Sequence, residues 1–136
     1  MLLPVNLIEY RKRRAVNPVQ IVLRKLLIPF IQFVPVWRLR TFLWQACGAR
    51  IDSSVWIART AVLDEEAPEL ITIEEGVRIS YGVMLITHSD LDKEIGSIVI
   101  GRQAWIGAGA VVLPGVTIGA YSVVGAAGLV NKDVPP

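Results

Sequence analysis

The chain has 136 residues, of which 53% are hydrophobic and 19% charged, a composition that fits one folded domain and excludes a disordered chain. The net charge of +2 is uneven, because residues 1–50 carry nine Lys and Arg against one acidic residue, whereas residues 51–136 carry five against eleven. A single cysteine, Cys47, and a single histidine, His88, exclude an internal disulfide and a histidine-rich zinc site, so we expect a reducing cytoplasmic compartment and no metal.

Residues 1–50 form the first predicted unit, a helical and basic segment. Asn17-Pro18 is typical of a helix start, Pro29 and Pro35 are expected to interrupt that helix, and a second short helix is predicted from Trp37 to Ala46. The apolar side chains that recur at helical spacing are Val19, Val22, Leu23, Leu26, Leu27 and Phe30.

Two roles remain open for this segment. It either caps the open end of the domain that follows, or lies on a membrane surface through residues 1–40, an alternative that the basic tetrad Arg11–Arg14 favours. The longest apolar run, Leu26 to Trp37, contains two prolines and is too short to span a bilayer, and no signal peptide is expected. We therefore expect a cytoplasmic protein, either free or peripheral at the inner membrane face.

No nucleic-acid partner is expected, because the second unit is acidic and no aromatic-basic platform is evident.

Residues 51–136, the second predicted unit, repeat with a period of six. A small or β-branched residue mostly follows four positions after each aliphatic one, and glycine or an acidic residue often follows directly. Neither a helix nor a simple strand has this period, which predicts a parallel β-helix of twelve hexads in four coils, with glycine allowing unusual dihedral angles at the corners. The aliphatic positions are Ile51, Ile57, Leu63, Ile73, Ile79, Leu85, Ile100, Ile106, Val112, Ile118, Val124 and Val130.

Two insertions interrupt the repeat, between Leu63 and Ile73 and between Leu85 and Ile100. Both follow the third hexad of a coil, so they are expected to leave the prism at the same edge, one above the other. The second, a loop over residues 86–98, is long for so compact a repeat and contains His88, which indicates a functional loop.

The run IGRQAWIGAGAVVLPGVTIG from Ile100, continued by VVGAAGLVNKDVPP to Pro136, resembles the hexapeptide-repeat acetyltransferases, in particular the maltose, galactoside and polysaccharide O-acetyltransferase branch. The resemblance covers residues 51–136. It implies a left-handed β-helix, a homotrimer, acetyl-CoA as the acyl donor and an active site in the cleft between subunits. The family usually continues past the position of Pro136, so we expect a truncated form or an incomplete coenzyme site.

The resemblance also implies roles for individual residues. His88 matches the catalytic histidine, and Asp64 matches an aspartate that contacts the acceptor; Asp90 is a further candidate, either for the acceptor or for orienting His88. Trp56 stands where sugar-specific members carry asparagine, which argues against a galactoside- or maltose-like acceptor. The residues that match coenzyme contacts are Trp105, Gly107, Ala108, Ala126, Asn131 and Lys132.

Attack of a hydroxyl group on a thioester requires a general base, and histidine titrates in the right range for this role. The sequence therefore favours acetyl transfer from coenzyme A to a hydroxyl group of a sugar or cell-envelope polysaccharide, with His88 as the base and the Ala108 N–H as an oxyanion donor. Two alternatives stay open, namely a catalytically inactive trimeric scaffold and an acetyltransferase with an amine or amino acid as acceptor.

Overall fold

The computed structural model describes residues 3, 5–14 and 17–136, and it begins with three helices, α1 (Leu7–Arg13), α2 (Pro18–Ile31) and α3 (Trp37–Ala46). The predicted start of α2 is confirmed, because Asn17 caps the helix by accepting a hydrogen bond from the Val19 N–H, and Pro18 occupies the first turn. The expected interruption at Pro29 is wrong, since α2 continues through Pro29 to Ile31 and the chain leaves the helix only before Pro35. The bounds of α3 agree with the prediction.

The remainder of the chain winds through four coils of three short strands each. The first two coils contain β1 (Arg50–Ile51), β2 (Trp56–Ile57), β3 (Val62–Leu63), β4 (Ile71–Ile73), β5 (Arg78–Ile79) and β6 (Met84–Leu85). An inserted hairpin follows, formed by β7 (His88–Ser89) and β8 (Glu94–Ile95). The last two coils contain β9 (Ile98–Ile100), β10 (Trp105–Ile106), β11 (Val111–Val112), β12 (Thr117–Ile118), β13 (Val123–Val124) and β14 (Leu129–Val130).

The strands stack as three parallel four-stranded sheets, one for each face of the prism, with the orders β1-β4-β9-β12, β2-β5-β10-β13 and β3-β6-β11-β14. Within the first sheet Ile51 aligns with Ile73, and Ile100 aligns with Ile73 and Ile118. The other two sheets show the same register for their repeat positions. All twelve predicted aliphatic side chains are buried in one continuous core, so the predicted β-helix of four coils is confirmed.

The reason given above for the glycines that follow the aliphatic positions is wrong. Positive φ angles occur elsewhere, for example at Gly82 (69°) and Gly109 (72°), each of which is the second residue of a corner turn. At Gly101 a Cβ atom would instead lie 2.6 Å from the backbone nitrogen of Ala120 in the next coil. Glycine is therefore required at Gly101 by the close stacking of coils and not by its own dihedral angles.

Helix α3 lies across the open end of the first coil and supplies hydrogen bonds that a preceding coil would otherwise provide. The buried Arg40 guanidinium donates to the Ile57 carbonyl through Nε (3.1 Å) and Nη2 (2.8 Å). The buried Thr41 hydroxyl donates to the carbonyl of Val55 (2.9 Å), and the Gln45 amide donates to the carbonyl of Ile51 (2.5 Å). These contacts satisfy backbone acceptors at the exposed edge of two sheets.

Candidate functional site

Both insertions leave the prism at the same corner, as the sequence predicted. The strands that precede them, β3 and β6, are parallel neighbours, with Leu63 aligned to Leu85. Asp64 is the first residue of the first insertion, and its N–H donates to the carbonyl of Leu85 (2.9 Å). The second insertion begins one coil above with Ile86, which is followed by Thr87 and His88. The topology of the repeat therefore places a carboxylate directly beneath a histidine.

The Asp64 carboxylate is buried and accepts hydrogen bonds from both insertions. One oxygen, Oδ1, accepts from the N–H of Glu66 at 2.9 Å. The other, Oδ2, accepts from the Thr87 N–H at 2.9 Å and from the Thr87 hydroxyl at 3.0 Å, and it lies 2.6 Å from Nδ1 of His88. An ionised carboxylate can only accept, so the proton of a neutral His88 ring lies on Nδ1.

With the proton on Nδ1, the second ring nitrogen of His88, Nε2, has a free lone pair. The His88 side chain is partly exposed, at 21%, so Nε2 is accessible from outside the chain. The nearest acidic group is the exposed Asp90 carboxylate, whose Oδ2 lies 3.6 Å from Nε2, which is too long for a hydrogen bond. Asp64 therefore orients the His88 ring through Nδ1, while Nε2 has no hydrogen-bond partner among the described residues. A general base needs such a free nitrogen to accept a proton.

His88 itself lies on the inserted hairpin, where β7 pairs with β8 in antiparallel register. The hairpin is held by the N-terminal segment, since the Leu3 N–H donates to the carbonyl of Ile95 and the Leu7 N–H donates to that of Lys93, both at 2.8 Å. Leu7 and Ile95 are buried together with Ala67 of the first insertion in a small second core. Sequence reasoning missed this role of α1, although Asn6 followed by Glu9 is a helix-start signal that it could have used.

The basic tetrad at residues 11–14 mostly binds acidic side chains of this same chain. Arg11 contacts Glu66 of the first insertion (2.8 Å) and Asp90 of the second (3.5 Å). Arg14 donates to the carbonyl of Glu66 and to the Glu69 carboxylate, while Arg13 forms an ion pair with Glu9. Two of the four charges used above to favour a membrane role thus hold the insertions in place, and the tetrad no longer supports that role.

Comparison with known proteins agrees with this geometry. Residues 97–129 match the family model described as bacterial transferase hexapeptide (six repeats). The structure of a hexapeptide-repeat acetyltransferase of Vibrio cholerae O1 biovar eltor, complexed with acetyl coenzyme A, superposes with a TM-score of 0.72 at 27% identity, over 97% of this chain and 91% of that one. The chain is similar to the hexapeptide-repeat acetyltransferases in sequence and in fold. Its β-helix is accordingly the left-handed form, as predicted.

Two curated relatives are also similar to this chain in sequence. "Putative acetyltransferase YvoF" of Bacillus subtilis (strain 168) is 37% identical over 101 residues, which are 73% of this chain and 56% of that protein. The galactoside O-acetyltransferase of Escherichia coli (strain K12) is 44% identical over 75 residues, which are 48% of this chain and 37% of the relative. The chain therefore spans less than two thirds of the length of either curated relative.

The residues that match the coenzyme contacts of hexapeptide-repeat acetyltransferases fall into two groups. Trp105 on β10 and the turn residues Gly107, Ala108 and Ala126 lie on neighbouring coils, and the Ala127 N–H donates to the carbonyl of Ala108 at 2.8 Å. This group lies at the corner after the second sheet. The exposed Asn131 and Lys132 follow β14, at the corner from which the insertions with His88 and Asp64 leave, two and three coils below respectively.

A single chain therefore does not bring the Trp105 group to His88, because the two occupy different corners of the prism. The Trp105 indole is half exposed and donates to the hydroxyl of Ser80 (3.1 Å) on the coil below. Gly107 has a structural reason of its own, since a Cβ atom there would lie 2.6 Å from the Ala126 nitrogen. Within the described residues, no three His, Cys, Asp or Glu side chains are grouped as metal ligands would be.

Proposed function

We propose that the protein transfers an acetyl group from acetyl-CoA to a hydroxyl group of a sugar or cell-envelope polysaccharide, with His88 as general base. The observation that carries the proposal is the contact of 2.6 Å between Asp64 Oδ2 and His88 Nδ1, which directs the lone pair of Nε2 outward. The similarity to a structure complexed with acetyl coenzyme A and to a galactoside O-acetyltransferase supports the choice of donor and reaction.

In the proposed step, Nε2 of His88 takes the proton of the acceptor hydroxyl as its oxygen bonds to the thioester carbonyl carbon. The carbonyl oxygen then carries negative charge, for which the N–H of Ala108 is the proposed donor. Among the hydrogen bonds of the described chain, Ala108 accepts one through its carbonyl but donates none through its N–H, which leaves that group available. When the carbon–sulfur bond breaks, the coenzyme thiolate takes the proton back from Nε2.

No covalent acetyl-enzyme is part of the proposal. Cys47 is 1% exposed, and burial raises the pKa of its thiol, which is the opposite of what an activated nucleophile requires. It also lies at the end of α3, beyond the first coil, whereas His88 follows the second. Direct transfer from the thioester to the acceptor is therefore the simpler course.

A homotrimer is part of the proposal because one chain holds the two halves of the site at different corners. In a threefold assembly each interface joins two different surfaces, so a corner carrying Trp105 and Ala108 can meet the corner carrying His88 of the next subunit. Coenzyme and acceptor would then meet in the cleft between subunits. The use of acetyl-CoA and the lone reduced cysteine favour a cytoplasmic location.

The decisive experiment measures thiol release from acetyl-CoA with a panel of acceptors that contains saccharides, amino acids and simple amines. We expect His88→Asn to lower the saccharide-dependent rate by about 10²–10⁴-fold, the usual contribution of a general base. Glu65→Gln, an exposed acidic residue of the first insertion, is the matched control and should retain the rate. Equal rates for His88→Asn and the parent would favour the catalytically inactive scaffold. Thiol release with amines or amino acids but not with saccharides would show that the acceptor is an amine.

A further inference from the structure

The outward faces of α2 and α3 are apolar over most of their length. On α2 an exposed stripe contains Val19, Val22, Leu23, Leu26 and Phe30, with Leu26 at 62% and Phe30 at 63% exposure. These positions follow helical spacing on the side away from Ile28 and Ile31, which pack against the β-helix, and the partly buried Leu27 lies at the border between the two faces. On α3 the apolar side chains of Leu39 and Phe42 are also exposed. Contiguous exposed apolar surface of this kind indicates an interaction site.

A groove of about 560 Å³ lies between the two helices, lined mainly by Leu23, Leu26, Leu27 and Phe30 of α2 and by Ala46 and Cys47 at the end of α3. It extends the apolar surface of α2 to the C-terminal end of α3. No helix in the described part of the chain is long and apolar enough to cross a bilayer. We therefore treat the apolar surface of α2 and α3 as a docking surface and not as a membrane-spanning segment.

The charges of this segment distinguish among partners. Residues 17–49 contain four Lys and Arg but no Asp or Glu. Arg24 pairs with Glu69 (3.4 Å) and Arg40 is buried against backbone carbonyls, so Lys25 of α2 and Arg38 of α3 remain as exposed cations on the two helices. A second copy docking by the same face would bring like charges together without any carboxylate to pair with them. A bilayer of anionic lipid satisfies both the apolar face and the cations.

From these observations we infer that the α2–α3 hairpin is a membrane-surface element that binds anionic lipid bilayers. Its apolar stripe enters the boundary between headgroups and acyl chains, while Lys25 and Arg38 contact the lipid phosphates. The inference does not depend on the proposed acetyl transfer. It has a consequence for the site, however, because Glu69 links Arg24 of α2 to the first insertion, which begins at Asp64, and thus holds the site loops beside the bilayer.

The test is sedimentation of the full chain with vesicles of phosphatidylcholine alone and of phosphatidylcholine with phosphatidylglycerol, at low and high salt. We expect binding to the mixed vesicles that weakens with salt, and a fall of at least tenfold in the partition coefficient of the double variant Leu23→Gln, Leu26→Gln, which removes two large apolar contacts. Glutamine is a good helix former, so α2 should be kept, and circular dichroism checks this. The matched control is Val123→Gln with Leu129→Gln, two equally exposed side chains of the last two strands, whose partition should be unchanged.

A second pair of variants tests the electrostatic part. Lys25→Gln should lower binding to the mixed vesicles by about fivefold, the equivalent of roughly 1 kcal/mol for one cation near an anionic surface. Lys132→Gln, an exposed lysine after the last strand, should leave it unchanged.

The inference is overturned if the parent stays in the supernatant with both vesicles, or if both double variants bind as the parent does. It is equally overturned if sedimentation velocity without lipid shows that Leu23→Gln, Leu26→Gln breaks an oligomer, because the face is then a subunit contact.

Discussion

Asp64 and His88 lie 24 positions apart in the sequence, yet Oδ2 of the first is 2.6 Å from Nδ1 of the second. One turn of the β-helix with its first insertion takes the chain from Leu63 to Leu85, which the parallel register of β3 and β6 aligns, and His88 lies two positions further along its insertion than Asp64 does. The same oxygen also accepts from the N–H and the hydroxyl of Thr87, so the carboxylate is held on several sides before it meets the ring. The contact points to Asp64 as a residue that orients His88, a role distinct from the acceptor contact that the family resemblance implies.

Asp64→Asn separates these two roles. An amide cannot accept at Nδ2, so it weakens the preference for the proton on Nδ1 of His88 while keeping the volume of the side chain. If Asp64 orients the base, the substitution should lower kcat roughly 10- to 100-fold with little change in the acceptor KM. Initial rates over a range of acceptor concentrations measure both constants. A rise in KM at unchanged kcat would instead favour direct contact with the acceptor.

Arg14 should control the order of the first insertion. Its mostly buried guanidinium donates to the carbonyl of Glu66 and to the Glu69 carboxylate (3.2 Å), and a charge-assisted hydrogen bond contributes about 1.5–3 kcal/mol. Arg14→Gln should therefore increase amide exchange over residues 64–70 by about tenfold or more, measured by hydrogen–deuterium exchange and mass spectrometry. Lys12→Gln, an exposed neighbour on α1, is the control, and an equal effect of both would show that α1 acts only through its net charge.

Thr41 should contribute to stability through the carbonyl that it satisfies. Its buried hydroxyl donates to Val55 O, and Thr41→Val keeps the shape of the side chain while leaving that acceptor unpaired. We expect the free energy of unfolding to fall by about 1–3 kcal/mol, measured by denaturant titration. Thr117→Val, at an exposed position of β12, should change it by less than about 0.5 kcal/mol. A loss in both variants would indicate that valine itself is poorly tolerated and that the contact from α3 matters little.

The period of six was sufficient to predict the fold because every aliphatic position of the repeat has the same environment, as the alignment of Ile51, Ile73, Ile100 and Ile118 shows. The equal placement of the two insertions also brought Asp64 and His88 to one corner. Their direct contact was not predicted, since it depends on side-chain rotamers and on the path of Thr87 and not on any repeat. The whole of α1 was missed because its seven residues bury only Leu7, which is too little apolar periodicity to detect.

The corner glycines show that residues at the same position of the repeat can be required for different structural reasons. The sequence shows glycine at the same repeat position in Gly101 and Gly125, but their surroundings differ, because a Cβ atom at Gly101 would meet the Ala120 backbone at 2.6 Å and one at Gly125 would meet nothing within 4 Å. Gly101→Ala should therefore destabilise the chain by about 1–3 kcal/mol, as overpacking does. Gly125→Ala should be neutral to within about 0.5 kcal/mol. Thermal unfolding of the two variants measures both losses, and equal losses would show that contact with the Ala120 backbone is not what requires glycine at Gly101.

Tyr10 should make the attachment of α1 sensitive to alkaline pH. Burial raises the pKa of its phenol above the ordinary 10.0, and the hydrogen bond that the phenol donates to Glu69 (2.7 Å) raises the pKa further. Because the folded state holds the proton more tightly than the unfolded state, this contribution to stability is complete below about pH 10 and declines as the pH rises above it.

Tyr10→Phe removes this titration along with the hydrogen bond. The parent should exceed the variant in stability by a constant amount between pH 7 and 9, about 0.5–1.5 kcal/mol for one hydrogen bond, and the difference should shrink from pH 10 to 11. Denaturant unfolding at each pH provides the measurement. Tyr121→Phe, an exposed tyrosine of the last coil, corrects for the effect of alkali on the rest of the chain. A difference that grows with pH above 10 would mean that the phenolate is the form stabilised in the folded state, through the neighbouring Arg14 and Arg24 charges.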